Sequence, residues 1–129
     1  MTDEKLRYVR QWLEKAEEDL KGYKIFMNDE DPLYSLAGFH LQQAAEKFLK
    51  AFLEYNAIIF PKTHDVELLL KQCALVESSF ADIKFDNISD FAVDLRYPGD
   101  MQPPSKNELE QAYESVQEIK QLVLSFLKF

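Results

Sequence analysis

The sequence predicts an all-α protein, an antiparallel up-and-down bundle of four to five helices. Its 129 residues include only three glycines and five prolines, and no strand-length alternation of apolar and polar residues lies between turn signals. Apolar residues instead recur in alternating steps of three and four, which is the spacing of one helix face. A chain of this length fits a single domain, residues 1–129, with a core that needs no disulfide.

The first predicted helix runs from about residue 4 to residue 27. Its apolar side forms a narrow seam that can pack along another helix, and Trp12 beside this seam is expected to anchor the core or an interface. The seam consists of Leu6, Val9, Leu13, Ala16, Leu20, Tyr23 and Met27.

The second predicted helix begins at Asp31, a suitable N-cap, with Pro32 in the first helical position. Asn56 and Pro61 bracket its end. Its apolar side is broad, which predicts a helix that is largely surrounded by others. That side contains Leu33, Leu36, Ala37, Leu41, Ala44, Phe48, Phe52 and Tyr55.

Three shorter stretches complete the predicted bundle. A third helix starts near Thr63 as its N-cap and ends near Glu77, and a fourth covers roughly residues 87–97 before a Pro-Gly stop. The last helix opens with Ser105 and Glu108, which have the spacing of a capping box. The last helix carries an apolar seam like that of the first helix. We therefore expect these two terminal helices to close the bundle.

Composition restricts the possible functions. The net charge of −8 argues against strong general binding to nucleic acid, which calls for a basic face. No apolar run approaches the length of a membrane span, so we expect a cytoplasmic protein without membrane contact. Cys73 is the only cysteine, and its apolar neighbours favour a buried thiol over a nucleophile.

Charge is distributed unevenly along the chain. Residues 77–118 contain ten acidic against three basic residues, whereas residues 32–76 contain four of each and both histidines. An anionic ligand is therefore expected near the middle segment.

The predicted second helix carries a polar row within that segment. His40, Gln43, Lys47 and Lys50 are spaced by three, four and three residues, so they share one side of the helix. An imidazole, an amide and two ammonium groups in one row could hold an anion. The alternative is an ordinary solvated face.

Two further clusters could complete an anion site. Thr63 and His64 open the third helix, where free backbone N–H groups attract anions, although an ordinary cap explains them equally. Arg96 could bind a phosphate through two hydrogen bonds, and Tyr97 could stack on a base. Arg96 could instead complement the end of its helix or pair with Asp100.

A metal site has weaker support. Asp82, Asp86, Asp90 and Asp94 repeat every fourth residue and could hold magnesium, but such a stripe is more often simply solvated. Two histidines and one cysteine make a poor set of ligands for other metals. We expect no metal and no cofactor.

Taken in order along the chain, these pieces resemble the HEPN domain family, named for higher eukaryotes and prokaryotes nucleotide-binding. The resemblance extends from Trp12 to the last helix and implies a bundle, commonly dimeric, that is similar to the helical substrate-binding domain of kanamycin nucleotidyltransferase. It also implies pairing with a small separate nucleotidyltransferase, sometimes as toxin and antitoxin. The matching pieces are Trp12-Leu13, Ala16, Asp19-Leu20, Phe39-His40, Gln42-Gln43-Ala44, Glu46-Lys47, Leu49-Lys50-Ala51, Lys62-Thr63-His64-Asp65 and Arg96-Tyr97-Pro98-Gly99-Asp100.

One feature of the wider superfamily is missing. Its ribonucleases carry an Arg followed, after four to six residues, by a His, and none of Arg7, Arg10 and Arg96 has that partner. The imidazole that would serve as acid or base is therefore absent from its usual position. This departure predicts a chain outside the ribonuclease subgroup, so an enzymatic role is not carried over from the resemblance.

These observations lead to a functional hypothesis with two alternatives. The hypothesis is a non-catalytic nucleotide-binding or interaction module that acts with a small nucleotidyltransferase. Its expected nucleotide-binding residues are His40, Gln43, Lys47, Lys50, Thr63, His64, Arg96 and Tyr97. The alternatives are a ribonuclease toxin that uses His40 or His64 as the base, and a structural subunit that forms a homodimer.

Overall fold

A computed structural model describes residues 2–84 and 103–128 of the chain. Every regular element in these two ranges is helical, and together they form a helical bundle, which confirms the predicted fold class. The predicted helix at 87–97, with Arg96 and Tyr97, lies outside the described residues. The elements are α1 (Asp3–Met27), α2 (Tyr34–Tyr55), α3 (Val66–Val76), a short 3₁₀ segment (Ser78–Asp82) that the sequence did not predict, and α4 (Lys106–Phe126).

The second helix, α2, is the central element and packs against α1 along its length. The Phe26 and His40 rings stack with centroids 5.5 Å apart, and the Lys50 ammonium lies 5.5 Å from the Trp12 ring centroid. Residue numbers therefore fall along α1 as they rise along α2, so the two helices are antiparallel. The apolar side of α2 is broad because a central helix contacts other elements over much of its circumference.

The two terminal helices meet only through long side chains. No Cα atom of α1 lies within 8 Å of one in α4. However, Tyr23 stacks on Tyr113 with ring centroids 5.1 Å apart, and Lys120 binds Glu17 at 2.6 Å. Burial, and to a lesser extent negative charge nearby, raises the pKa of Tyr23 to about 12. The predicted closure of the bundle by its termini is therefore made by side chains bridging beside α2.

The core is centred on α2 and contains one thiol. Cys73 is fully buried, and burial raises the pKa of its thiol to about 12, so the reactive thiolate is disfavoured. This confirms the interpretation of Cys73 as a buried apolar thiol. The largest fully buried apolar side chains are Phe48, Phe52, Phe80, Leu41, Leu49, Leu53, Leu69, Leu109 and Ile119.

The predicted start of α2 at Asp31 and Pro32 was wrong. The helix begins at Tyr34, and Leu33 occupies the N-cap position without a side-chain cap. Asp31 is part of a local turn, in which its N–H donates to the Asp29 carboxylate at 3.0 Å. This local hydrogen bond competes with helix initiation, as short polar side chains commonly do.

The N-cap of α3 is Asp65, so the prediction of Thr63 was also wrong. The Asp65 carboxylate accepts a hydrogen bond from the Leu68 N–H at 3.2 Å. Thr63 instead accepts from the Asp65 N–H at 3.0 Å, which forms a turn before the helix. Two candidate caps stood two residues apart, and the carboxylate also gains from the helix dipole.

Other helix ends agree with the predictions. Ser105 and Glu108 form the expected capping box in α4, with hydrogen bonds of 3.1 Å in both directions. The first helix ends at Met27 and α2 ends at Tyr55, with Asn56 as its C-cap. None of the helices among the described residues is long and apolar enough to span a membrane.

The chain leaves α2 through a left-handed residue. Ala57 has φ of 58°, and no other non-glycine residue in the described ranges has positive φ. Its N–H donates to the Glu54 carbonyl at 3.1 Å, and the Ile58 N–H donates to the Leu53 carbonyl at 2.9 Å. These two bonds define a Schellman motif, which normally places glycine where Ala57 stands.

Ala57→Gly is expected to stabilise the protein by about 1 kcal/mol, because glycine removes the Cβ strain of the left-handed conformation. Urea unfolding of the two proteins measures the difference. Ala74→Gly, inside α3, is the matched control and should lose about 1 kcal/mol, since glycine costs this much within a helix. Equal destabilisation by both substitutions would contradict the expectation.

Candidate functional site

A buried aspartate of α1 joins two of the predicted site residues. One Asp19 carboxylate oxygen lies 2.9 Å from His40 Nδ1, and the other lies 2.6 Å from Lys47 Nζ. Asp19 is only 8 % exposed. A carboxylate accepts hydrogen bonds, so Nδ1 of His40 carries a proton and Nε2 is left at the opposite edge of the ring.

The His40 ring packs against two aromatic side chains. Phe26 stacks on it, and Phe39 meets it edge-on with centroids 5.6 Å apart. A Cβ added to Gly22 of α1 would lie 3.3 Å from the ring, so this glycine lets the imidazole approach the helix closely. Packing and the Asp19 bond together fix the orientation of the ring.

A second buried carboxylate, Glu46 of α2, gathers a larger cluster. Glu46 is 2 % exposed, and its Oε1 binds Lys50 Nζ at 3.0 Å and His64 Nδ1 at 3.0 Å. Its Oε2 accepts from the Gln42 amide and, at 3.3 Å, from the Gln43 amide. Gln42 also donates to the His64 carbonyl at 3.0 Å, which ties the turn before α3 to α2.

Aromatic rings enclose the ammonium group of Lys50. It lies 5.5 Å from the Trp12 ring centroid and 6.0 Å from that of Phe60, while the two rings meet edge-on at 6.3 Å. Cation–π attraction thus supplements the bond to Glu46, which suits a lysine that is only 9 % exposed. The Lys50 ammonium group of α2 therefore contacts both α1 and the turn after α2.

The charges within the two clusters cancel. Asp19 and Glu46 offset Lys47 and Lys50, so the paired carboxylates and ammonium groups give the site no net positive charge. Both imidazoles are held through Nδ1. The side chain of His64 is 54 % exposed and that of His40 is 27 % exposed, so their outer edges are the part of the site open to a ligand.

The structure brings together five of the eight predicted site residues, in two groups. His40 and Lys47 share Asp19, whereas Gln43, Lys50 and His64 share Glu46. Thr63 belongs to the turn before α3. Arg96 and Tyr97 lie outside the described residues, as do three of the four aspartates in the acidic stripe. No cluster of three or more potential metal ligands occurs among the described residues.

The expected site residues did not include Asp19, Gln42 and Glu46, which organise the site, although all three belong to the pieces that carry the family resemblance. Asp19 stands three residues after Ala16 and four before Tyr23, so it shares the buried face of α1. An aspartate on an apolar face could have been recognised as needing a partner. Gln42, Glu46 and Lys50 are spaced by four, which also indicates one row.

Replacing Glu46 with Gln is expected to destabilise the protein by about 3 kcal/mol, because Lys50 would remain buried without a countercharge. Glu110→Gln is the control, since its exposed pair with Lys106 at 3.9 Å should contribute less than about 0.5 kcal/mol. Urea unfolding compares the two variants. A loss for Glu46→Gln no larger than that of the control would show that Glu46 does not hold the cluster together.

Comparison with known proteins bears on the family of the chain. A family model for the HEPN domain matches residues 9–126. A protein of Methanocaldococcus jannaschii named "Putative toxin MJ1304" is 26 % identical over an alignment of 140 positions, which covers 95 % of this chain and 90 % of that protein. No solved structure matches significantly. Because the family model covers nearly the whole chain and the expected bundle is present, the chain belongs to the HEPN domain family.

Proposed function

We propose that this HEPN chain is a non-catalytic nucleotide-binding module that acts with a small nucleotidyltransferase in a toxin–antitoxin-like pair. The observation that carries the proposal is the meeting of His64 and Lys50 on the buried Glu46 carboxylate. Lys50 of α2 and His64 of the turn before α3 are thereby held in fixed positions at one surface. The toxin name of the Methanocaldococcus relative supports the biological setting.

The ligand would meet the outer edges of the two imidazoles. Each ring is held through Nδ1, so Nε2 of His40 and of His64 accepts a hydrogen bond in the neutral ring and donates to a phosphate oxygen only in the imidazolium form. Lys47, with a side chain 23 % exposed, would offer a further hydrogen-bond donor beside His40. Arg96 and Tyr97 are proposed to complete the site by pairing with phosphate and stacking on the base.

The same cancellation of charge limits the affinity. Asp19 and Glu46 repel an anion at the distances at which Lys47 and Lys50 attract it. A nucleotide would therefore depend on directed hydrogen bonds more than on net charge. We expect dissociation constants between about micromolar and millimolar, well short of tight cofactor binding.

Calorimetry and thermal shift with ATP and GTP test nucleotide binding. His64→Ala and Arg96→Ala should each weaken binding by about tenfold, the effect of losing one hydrogen bond to a charged group. Lys106→Ala removes an exposed cation from the start of α4 and should change binding by less than about twofold. Absence of binding to the unmodified protein at millimolar nucleotide would refute this part of the proposal.

A protein partner is the second part of the proposal. The partner is a small nucleotidyltransferase, and the chain itself is proposed to form a homodimer, as the family resemblance implies. Tyr8, an aromatic side chain that is 49 % exposed, is consistent with association.

One observation favours a ribonuclease toxin as the alternative. Glu46 holds His64 in the way a carboxylate orients a catalytic imidazole, leaving Nε2 able to accept a proton from a 2′-hydroxyl. Incubation with tRNA distinguishes the two functions. Cleavage lost in His64→Ala but kept in Lys106→Ala would establish the ribonuclease, whereas equal cleavage by both variants would indicate a contaminant.

A further inference from the structure

The exposed edge of the His64 ring presents a hydrogen-bond acceptor. Nδ1 of His64 lies 3.0 Å and 3.2 Å from the two carboxylate oxygens of Glu46, which is buried. A carboxylate only accepts hydrogen bonds, so in the neutral ring the proton is on Nδ1 and Nε2 keeps a lone pair. The side chain of His64 is 54 % exposed, so a ligand can reach this outer edge.

The polar cluster holds the ring in this orientation. Glu46 is itself fixed by Lys50 and by the Gln42 and Gln43 amides, and Gln42 also donates to the His64 carbonyl at 3.0 Å. A half-turn of the imidazole about its Cβ–Cγ bond would replace Nδ1–H with a carbon atom beside the buried carboxylate. Because a buried carboxylate needs hydrogen-bond partners, that half-turn is unfavourable.

A phosphate group does not match this edge. Phosphate oxygens are acceptors, and Nε2 of the neutral His64 ring is an acceptor as well. The charges of Lys50 and Glu46 cancel, so this pair does not draw an anion toward His64. The ammonium donor of Lys47 is held elsewhere, on Asp19 beside His40. The group that His64 accepts from is therefore a neutral donor of the nucleotide.

The donors of a nucleotide are the ribose hydroxyls and the N–H groups of the base. A base edge places donors next to acceptors, so its recognition calls for a two-point partner such as an amide, or for an aromatic ring on which the base stacks. His64 offers one acceptor, and the rings of Trp12 and Phe60 lie against the Lys50 ammonium. A single acceptor is sufficient for a hydroxyl, which rotates to direct its proton.

We infer that His64 recognises the sugar of the nucleotide, accepting a hydrogen bond from a ribose hydroxyl at Nε2, and that Glu46 is its positioning residue. The inference rests on the proposed nucleotide-binding function and specifies the ligand as a ribonucleotide. The phosphates are left to the Lys47 side of the site. Glu46 and Lys47 are consecutive in α2, so the two clusters are neighbours on this helix.

Calorimetric titration with ATP and with 2′,3′-dideoxy-ATP at pH 8 tests the inference. The two nucleotides share the base and the triphosphate and differ only in the ribose hydroxyls. At this pH the imidazole of a free histidine is neutral. ATP should bind about fivefold or more tightly than its dideoxy form, the effect of losing one hydrogen bond.

Two matched substitutions assign the preference to one ring. His64→Asn keeps an amide donor for Glu46 but has no atom at the position of Nε2, so ATP and dideoxy-ATP should then bind within about twofold of each other. His40→Asn makes the same change beside Asp19 and should leave the preference for ATP unchanged. Thermal unfolding of each variant checks that it is folded.

Nitrogen-15 NMR of the histidine rings measures the positioning by Glu46. At pH 8, His64 should show a protonated Nδ1 and an unprotonated Nε2, and ATP should shift the Nε2 signal more than dideoxy-ATP does. A protonated Nε2 in the free protein would overturn the inference.

The binding data can overturn the inference in further ways. Equal affinity for ATP and dideoxy-ATP would refute ribose recognition while leaving the proposed nucleotide binding intact. A preference for ATP that survives in His64→Asn would assign the hydroxyl contact to another residue. Equal binding of the two, combined with weaker binding of purine riboside triphosphate, would move the contact to the base. Absence of binding by ATP at millimolar concentration would refute the proposed function and this inference together.

Discussion

The polar interior of this bundle depends on one buried negative charge, the carboxylate of Glu46. It binds a lysine one turn away on the same helix, a histidine from the turn before α3, and two glutamine amides. A carboxylate with this little exposure is stable only when its lone pairs are satisfied. The geometry of the turn, the placement of Lys50 and the rings around that lysine therefore follow from the position of Glu46.

Asp19 applies the same constraint between α1 and α2. Apolar seams fix which faces of two helices meet, but they tolerate sliding by one turn more readily than a pair of directed polar contacts does. Asp19 binds His40 and Lys47, which stand two turns apart on α2, so a slip of α1 would break both contacts. The candidate site is thus part of what specifies the packing, and a ligand would bind to groups already fixed by the fold.

The helices could be predicted from the sequence because each carries its own periodicity and, in α4, its own capping box. The starts of α2 and α3 could not, since several short polar residues compete for the cap and the choice depends on where the turn leads. At the site, the row from His40 to Lys50 was visible from spacing alone. Its pairing with acids was not, because Asp19 comes from another helix and Glu46 resembled an ordinary solvated residue.

The contact between Gly22 and His40 has a consequence for sequence variation. Glycine within a helix sacrifices about 1 kcal/mol relative to alanine, and here that loss creates the space that an imidazole fills. The two positions are therefore coupled in size: a methyl group at position 22 would require the imidazole at position 40 to move by a few tenths of an ångström. Changes at the two positions should accordingly be correlated, since the Asp19 bond and the Phe26 stack limit how far the ring can move.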